Sequence, residues 1–230
     1  MEVHVKKSIL MQRLMDAVIR GYVYHTTGTV QFEKAEKLCQ KFDQKYQIFA
    51  NNNQRHYAKK QGRANARLYL YYKSDSNQLC WWLLATKGKN EVHNQEKLLV
   101  AFERNGRIRV PGDYEFLPLT KQKSSGGGSS WTWRMTKETY STWRERMTYC
   151  GRNQSSLSAR QALGSLQKTP GFRGIRFQVG KLSSVLRKAW VRHHGNQTDL
   201  PRIIKLNYIE RVPDQTIDLY DLLKRYKRLN

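Results

Sequence analysis

Histidine side chains occur at two places in the sequence where they could cleave RNA without a metal ion. His25 follows Tyr22 and Tyr24, and His193 and His194 are adjacent at the end of a basic stretch. A histidine within reach of a phosphate can act as general base or acid, and a neighbouring cation stabilises the developing charge. Because a lone histidine is more often structural, a metal-independent endoribonuclease site at His25, or at His193 and His194, is only our first alternative prediction.

Carboxylates that could hold a catalytic metal ion are sparse. Asp113 and Glu115 would share one face of a strand, and Glu91 is the remaining candidate. A metal-dependent nuclease needs two or three converging carboxylates, and no E-x-K lysine accompanies these. We therefore expect Asp113 in a turn, Glu115 on the surface of a sheet, and neither a metal site nor a cofactor.

Two further kinds of site are not favoured by the sequence. The run SSGGGSS at 124–130 lacks the lysine of a phosphate-binding loop and precedes a predicted strand instead of a helix. Cys39, Cys80 and Cys150 do not have the spacing of zinc ligands. We interpret the Gly-Ser run as a flexible connection between two strands and the few cysteines as typical of a reducing cytoplasm.

Net charge is the strongest indication of function. The 230 residues include 42 Lys and Arg but only 18 Asp and Glu, which gives a formal net charge of +24. Such an excess repels itself within a compact domain, and nucleic acid is the commonest polyanionic partner that offsets it. No apolar run is long enough to span a membrane. We expect nucleic acid and other protein subunits as partners, and no membrane.

One long segment of the chain carries basic residues and no acidic ones. Residues 146–198 contain no Asp or Glu, whereas an ordinary solvated surface intersperses charges of both signs. We therefore predict that this segment forms the main phosphate-contacting surface. The predicted contacts are Arg173, Arg176, Lys181, Lys188 and Arg192.

A second basic surface is predicted earlier in the chain. Cations there recur about every four residues, which would align them along one face of a helix. The predicted phosphate contacts of this stripe are Arg55, Lys59, Lys60, Arg63 and Arg67. Asparagines at 51–53 suit hydrogen bonds to base edges. A recognition helix at 52–62 followed by a hairpin would make a winged-helix DNA-binding regulator, which is our second alternative.

The alternation Trp131-Thr132-Trp133-Arg134 is typical of a strand with one apolar face. Side chains at i and i+2 share a face, so both tryptophans lie on one side and Thr132 and Arg134 on the other. We expect the tryptophans to hold the sheet to its helices and Arg134 to contact phosphate.

Hydrophobic periodicity predicts the elements that position these residues. Helices are expected at 8–20, from a cap at Thr29 to 46, and at 93–104, 137–149, 155–167, 180–194 and 216–229. Strands are expected at 21–30, 68–72, 79–86, 107–110, 114–119, 130–135 and 203–212, and 169–179 as a turn followed by an extended run.

These elements predict an α+β fold, with an antiparallel sheet of about five strands packed by helices and a basic, mostly helical C-terminal part. Residues 1–136 would form the sheet domain and 137–230 a helical region packed on it, or both would form a single domain. We expect a cytoplasmic, non-catalytic nucleic-acid-binding protein, with RNA or DNA as its ligand. It would be a basic subunit of a nucleoprotein complex of mobile-element or RNA-guided type.

Overall fold

The computed structural model of the chain describes residues 1–73, 76–111, 114–120, 124, 126–153, 155–195, 200, 202–203 and 205–229. The chain divides into two compact units. The first comprises Met1–Ile108 and Arg211–Asn230, and the second comprises Arg109–Glu210. Both combine helices with strands, so the mixed helix and sheet content predicted from the sequence is confirmed.

The elements follow one another along the chain as listed in this paragraph. The first unit begins with β1 (Glu2–His4), α1 (Lys7–Ile19), β2 (Tyr24–Gln31), α2 (Phe32–Tyr46), α3 (Asn52–Lys60), β3 (Ala66–Tyr72), β4 (Gln78–Ala85), α4 (Glu91–Gln95), β5 (Leu99–Val100) and a 3-10 turn (Arg104–Gly106). The second unit contains β6 (Arg109–Val110), β7 (Tyr114–Thr120), β8 (Ser129–Met135), α5 (Lys137–Asn153), α6 (Ser156–Gln167) and α7 (Arg173–His194). The first unit ends with β9 (Thr216–Asp218) and α8 (Leu219–Leu229).

The first unit contains a six-stranded mixed sheet in the order β5-β2-β4-β3-β1-β9. Its centre is the antiparallel ladder of β2, β4 and β3, in which the predicted hairpin joins β3 to β4. β1 pairs with β3 in parallel. The predicted sheet of about five strands was antiparallel throughout and did not include this pair. The reason is that β1 and β9 are three residues long and are held by pairing with distant segments, so neither has a local pattern.

Helices cover this sheet with the apolar positions that their periodicity indicated. α1 buries Ile9, Leu10, Leu14, Ala17 and Val18, which confirms the predicted face. α2 buries five side chains that join a core with the sheet and with Leu219 and Leu222 of α8. The five are Phe32, Ala35, Cys39, Phe42 and Tyr46.

The second unit contains a separate three-stranded antiparallel sheet in the order β6-β7-β8. The sequence predicted one sheet, in which the strands from residue 107 onward would join the earlier strands. These strands instead form a sheet of their own. β7 and β8 pair from Tyr114 opposite Met135 to Thr120 opposite Ser129. α7 packs against β8 and against α5, so it is central to this unit.

The predicted helix at 93–104 is wrong. α4 ends at Gln95, and the following residues pair with β2 as β5. The N–H of Ala101 donates to the carbonyl of Val23 at 2.8 Å, while Leu99 and Phe102, predicted to face inward, are exposed. Backbone pairing at the sheet edge thus outweighs a short local helical pattern.

The predictions around the start of α7 also need correction. The predicted turn and extended run at 169–179 is largely helical, because α7 begins at Arg173. No strand forms at 203–212 among the described residues there. The N–H of Ile209 instead donates to the carbonyl of Gly171 at 3.1 Å, which holds this segment beside α7.

Two helix boundaries in the first unit differ from the expectation. Thr29 does not cap α2, because it lies within β2 opposite Cys80 and α2 begins at Phe32. α3 ends at Lys60, so the predicted helical stripe cannot continue to Arg67.

Among the described residues, no helix has both the length and the apolar composition needed to cross a membrane.

Candidate nucleic-acid interface

The 22-residue helix α7 of the second unit carries its buried apolar side chains on one face and its exposed basic side chains on the other. Apolar residues at helical spacing fix its inner face, which is where Ile175, Val179, Leu182, Leu186 and Trp190 are buried. Its outer face carries four cations, one hydroxyl and one aromatic ring. These exposed residues are Phe177, Lys181, Ser184, Arg187, Lys188 and Arg192.

Close backbone contact fixes the position of α7 on the edge strand β8. The N–H of Gly174 donates to Oγ1 of Thr132 at 3.2 Å. A Cβ atom at Gly174 would lie 2.5 Å from the carbonyl oxygen of Trp133, so only glycine allows this approach. The Gln178 amide accepts from the N–H of Met135 at 2.7 Å and donates to its carbonyl at 3.2 Å. α7 thereby satisfies the open edge of the sheet.

Arg173, predicted to contact phosphate, is engaged within the second unit. Its guanidinium donates to the carbonyls of Leu119 at 2.6 Å, Thr120 at 3.2 Å and Ser130 at 3.4 Å. These carbonyls belong to the two strands of the β7–β8 hairpin. Arg173 therefore anchors α7 to the hairpin through hydrogen bonds from both terminal nitrogens of its guanidinium.

Arg176 holds the segment that follows the second unit's helices. Its Nε donates to the carbonyl of Leu206 at 2.7 Å, and its guanidinium carbon lies 3.4 Å from the centre of the Tyr208 ring. The contact places a delocalised cation on one face of the ring. The predicted phosphate ligand Arg176 therefore also has a structural role.

A groove of about 630 Å³ runs along α7 beside Ile203, Lys205 and Leu206. Its lining includes the apolar side chains of Val179, Ile203 and Leu206. The lining also includes Lys181 and Arg187 together with three further cations contributed by the same unit. Those three are Arg173, Arg176 and Lys205.

The charge along this groove is of one sign. The described parts of the acid-free segment, 146–153 and 155–195, supply no carboxylate to α7. Lys188 and Arg192 extend the exposed basic face beyond the groove, and both are solvent-exposed. Nζ of Lys181 lies 4.5 Å from the centre of the Phe177 ring, so an exposed aromatic ring and a cation adjoin here. Of the predicted contacts in this segment, Lys181, Lys188 and Arg192 therefore face solvent.

In the first unit, Arg55 is a structural residue. Its guanidinium donates to the carbonyls of Ala50, Ile48 and Ala66 at 2.7 to 2.8 Å and to the Tyr22 hydroxyl at 3.2 Å. These bonds tie the start of α3 to the sheet. Arg55 therefore does not project from a basic stripe.

The other cations of the predicted stripe separate from one another. Lys59 and Lys60 are exposed at the end of α3, whereas Arg63 follows the helix and borders a polar cleft of about 740 Å³. Arg67 lies in β3, where its guanidinium is 5.2 Å from the centre of the Tyr22 ring. The structure thus does not bring the five residues together.

The hairpin predicted as a wing is present, but α3 is not packed like a recognition helix. β3 and β4 follow α3, as that prediction requires. However, α3 has no buried side chain, although a helix held firmly on a DNA-binding core needs an apolar face. Its N-terminus is fixed instead by a capping box between Asn51 and Gln54.

Arg134 and Glu115 lie opposite each other in the small sheet and form an ion pair. The guanidinium donates to one Glu115 oxygen from Nη2 at 2.6 Å and from Nε at 2.7 Å. Glu115, expected on the sheet surface, is buried, and its neighbour Asp113 lies outside the described residues.

The remaining candidate metal ligand, Glu91, accepts from the Gln95 amide at 3.0 Å. In the described part of the chain, no three His, Cys, Asp or Glu side chains form a metal site.

The tryptophans of β8 pack as expected. Trp133 is fully buried, 6.5 Å from the ring of Phe172 at the start of α7. Phe116 stacks on Trp131 with ring centres 4.9 Å apart. The prediction that these tryptophans hold the sheet to a helix is confirmed for Trp133.

His25 is sealed inside the first unit. It is 2% exposed, its Nε2–H donates to the carbonyl of Gly106 at 2.6 Å, and its buried Nδ1 has no hydrogen-bond partner among the residues that the structure describes. Burial lowers the pKa of His25 from its ordinary value and keeps the ring neutral. A buried ring cannot reach a phosphate, so His25 does not fit the role of catalytic base.

His193 and His194 lie at the C-terminal end of α7. Both are exposed. The ring of His194 stacks on Trp190 with centres 4.2 Å apart. The pair continues the basic face of the helix beyond Arg192.

Phe177, Lys205 and Tyr208 were not predicted as functional residues. The spacing Phe172, Ile175, Val179, Leu182 is helical and could have extended the predicted helix back to include Phe177. Lys205 and Tyr208 lie in an irregular segment that was predicted as a strand, and no signal in the sequence placed it beside α7.

Comparisons of the chain with protein-family models, with curated proteins and with solved structures found no match.

Proposed function

We propose that this protein binds nucleic acid through the outer face of α7 and the groove beside it, and that it has no catalytic centre of its own. The supporting observation is one helix face with exposed Lys181, Arg187, Lys188 and Arg192 and no carboxylate. Cations that neutralise phosphates release counterions, which adds affinity without requiring a particular base sequence.

The arrangement of these cations suits an extended polyanion. From Lys181 to Arg192 the helix advances by about 16 Å at about 1.5 Å per residue. Lys205 adds a further cation to the lining of the groove. An elongated ligand with regularly spaced charges, such as a nucleic-acid backbone, would engage several of these side chains at once.

Residues of the acid-free segment divide into two roles under this proposal. Lys181, Arg187, Lys188 and Arg192 are the phosphate contacts, because they project into solvent. Arg173 and Arg176 position the helix and the wall of the groove through their carbonyl contacts. Since no bidentate base-reading pair stands out on this face, we propose a grip that is largely independent of sequence.

The net charge supports a role within a nucleoprotein complex. A chain carrying +24 is self-repelling when free and is stabilised when a polyanion neutralises it. We propose that RNA or DNA is the primary ligand, that other protein subunits join it, and that the complex is of a mobile-element or RNA-guided type.

Binding measured against salt tests the proposal. The four exposed cations of α7 and Lys205 make five phosphate contacts. They predict that the logarithm of affinity falls with the logarithm of salt concentration with a slope of about −3.5 to −4.5. Labelled RNA and DNA of mixed sequence, titrated with protein at about 50 to 200 mM salt, would give this slope directly. An affinity that does not change with salt would overturn the proposal. Specific RNA cleavage in EDTA that is lost in His193→Ala or His194→Ala would overturn its non-catalytic part.

A further inference from the structure

Two aromatic rings beside the α7 groove are exposed far more than aromatic rings in a core. Phe177 is 60% exposed on the outer face of α7, and Tyr208 is 72% exposed on the segment that borders the groove. Exposed rings of this size lose hydrophobic stabilisation unless something covers them. Their shared neighbourhood with the groove indicates that its ligand has surfaces that stack on aromatic rings.

Each of the two rings already carries a cation on one side. Nζ of Lys181 is 4.5 Å from the centre of the Phe177 ring, and the Arg176 guanidinium is 3.4 Å from the centre of the Tyr208 ring. The cations fix the rings in place from that side, and the large exposed fractions leave ring surface open to solvent. A phosphate on Lys181 and a base on the open surface of the Phe177 ring would be bound by adjacent groups.

Bases in a duplex are stacked on their neighbours, so their faces are closed to protein rings, and only phosphates, sugars and groove edges remain available. Bases in a single strand can stack on aromatic side chains in a basic groove. The lining of this groove includes the apolar side chains of Val179, Ile203 and Leu206 beside its cations, which suits flat, partly apolar bases better than a second row of phosphates.

We infer that the α7 groove binds single-stranded nucleic acid, with bases stacked on Phe177 and Tyr208 and with phosphates held by Lys181, Arg187 and Lys205. This inference rests on the proposed function and names the form of nucleic acid that the same site takes. The stacking contribution is tolerant of sequence, because every base has a flat π-face.

The test compares single strands with duplexes. The probes are labelled oligouridylate and oligothymidylate of about ten nucleotides, within the site size of single-strand grooves, and duplexes of the same length. Fluorescence anisotropy at one salt concentration gives the affinities. We expect the full-length protein to bind a single strand, of either sugar, more tightly than the matching duplex. A duplex that binds as tightly as both single strands would overturn the inference.

Ring variants locate the stacking. Phe177→Ala and Tyr208→Ala should each weaken single-strand binding by about fivefold to 150-fold, the range expected for one lost base stack, and should change duplex binding little. Tyr208→Phe and Phe177→Tyr keep a ring and should restore binding. Phe102→Ala, at an exposed phenylalanine of the first unit, is the matched control and should bind normally.

The outcomes separate the inference from the proposed function. If both alanine variants keep full single-strand affinity while binding still weakens with salt, the stacking inference is overturned and the proposed function stands. If binding of every probe is independent of salt, the proposed function itself is overturned. Thermal melting of each variant shows whether a loss of binding comes from unfolding.

Discussion

Arg134 donates two hydrogen bonds to a single oxygen of the buried Glu115, from directly opposite positions on β8 and β7. The sequence suggested a different role for each residue, phosphate contact for Arg134 and a sheet-surface position for Glu115. Their pairing instead stabilises the sheet on which α7 packs. Because a carboxylate buried without its cation is costly, the pair matters for folding more than for ligand binding.

Arg134→Ala is therefore expected to destabilise the second unit by about 1.5–3 kcal/mol, the usual cost of losing charged hydrogen bonds to a buried group. Urea unfolding followed by tryptophan fluorescence would measure this change. Arg192→Ala, at an exposed cation of α7, should change the free energy of unfolding by less than about 0.5 kcal/mol. An Arg134→Ala protein that is fully stable but binds nucleic acid poorly would restore the original prediction for Arg134.

Removing the exposed cations of α7 together should weaken nucleic-acid binding and reduce its salt dependence. A quadruple variant loses four phosphate contacts, so the salt slope should shrink by about 2.8 to 3.6. The four substitutions are Lys181→Gln, Arg187→Gln, Lys188→Gln and Arg192→Gln. Binding titrations at several salt concentrations give the slope.

The control for this variant removes the same charge from the first unit at four exposed lysines. Its substitutions are Lys34→Gln, Lys37→Gln, Lys87→Gln and Lys97→Gln. Both variants have the same net charge, so a general field effect would weaken binding equally in both. Equal losses would contradict a localised interface on α7.

Two glycines of α7 should respond oppositely to alanine. A Cβ atom at Gly174 would lie 2.5 Å from the carbonyl oxygen of Trp133, whereas nothing lies within 4 Å of one at Gly180. Gly174→Ala is expected to lower stability by about 1–3 kcal/mol through overpacking. Gly180→Ala should raise it by up to about 1 kcal/mol, because alanine favours the helix.

Chemical denaturation of the two glycine variants beside the unchanged protein checks this pair. Both substitutions add one methyl group to the same helix, so differences in helix propensity cancel. Equal effects on the free energy of unfolding would show that α7 does not need its close contact with β8.

Burial of His25 makes the stability of the first unit depend on pH. The pKa of His25 is lowered in the folded protein, so as the pH falls below about 6.5 the unfolded chain takes up a proton on this ring before the folded protein does. The stability that the neutral, buried ring contributes is complete above pH 6.5 and is lost as the pH falls toward the lowered folded pKa. His25→Gln should reduce the slope of unfolding free energy against pH by up to about 1.4 kcal/mol per unit.

Urea unfolding between pH 5 and pH 7.5 would measure these slopes. His56→Gln, at an exposed histidine on α3, is the matched control for the loss of one histidine. An identical slope in the His25→Gln protein would mean that His25 is protonated equally in the folded and unfolded states.

Elements with a strong local pattern were predictable. The spacing of Leu10, Leu14 and Val18 predicted α1, and the alternation at Trp131 and Trp133 predicted the packing of β8. The start of α7 was missed because Pro170 and Gly171 favour a turn. These two residues lie just before the helix begins and do not interrupt it. Weak patterns of three or four residues, as in β1 and β9, carry too little local preference to be recognised.

The sequence by itself determined the charge, the acid-free segment and the periodicity that separates apolar from basic side chains on α7. Those properties depend only on residue type and spacing. Tertiary structure decided which cations remain for a ligand, because carbonyls of β7 and β8 occupy Arg173, and carbonyls of β3 and of the loop before α3 occupy Arg55. A guanidinium binds whichever acceptor folding brings within about 3 Å, and sequence spacing does not fix that distance.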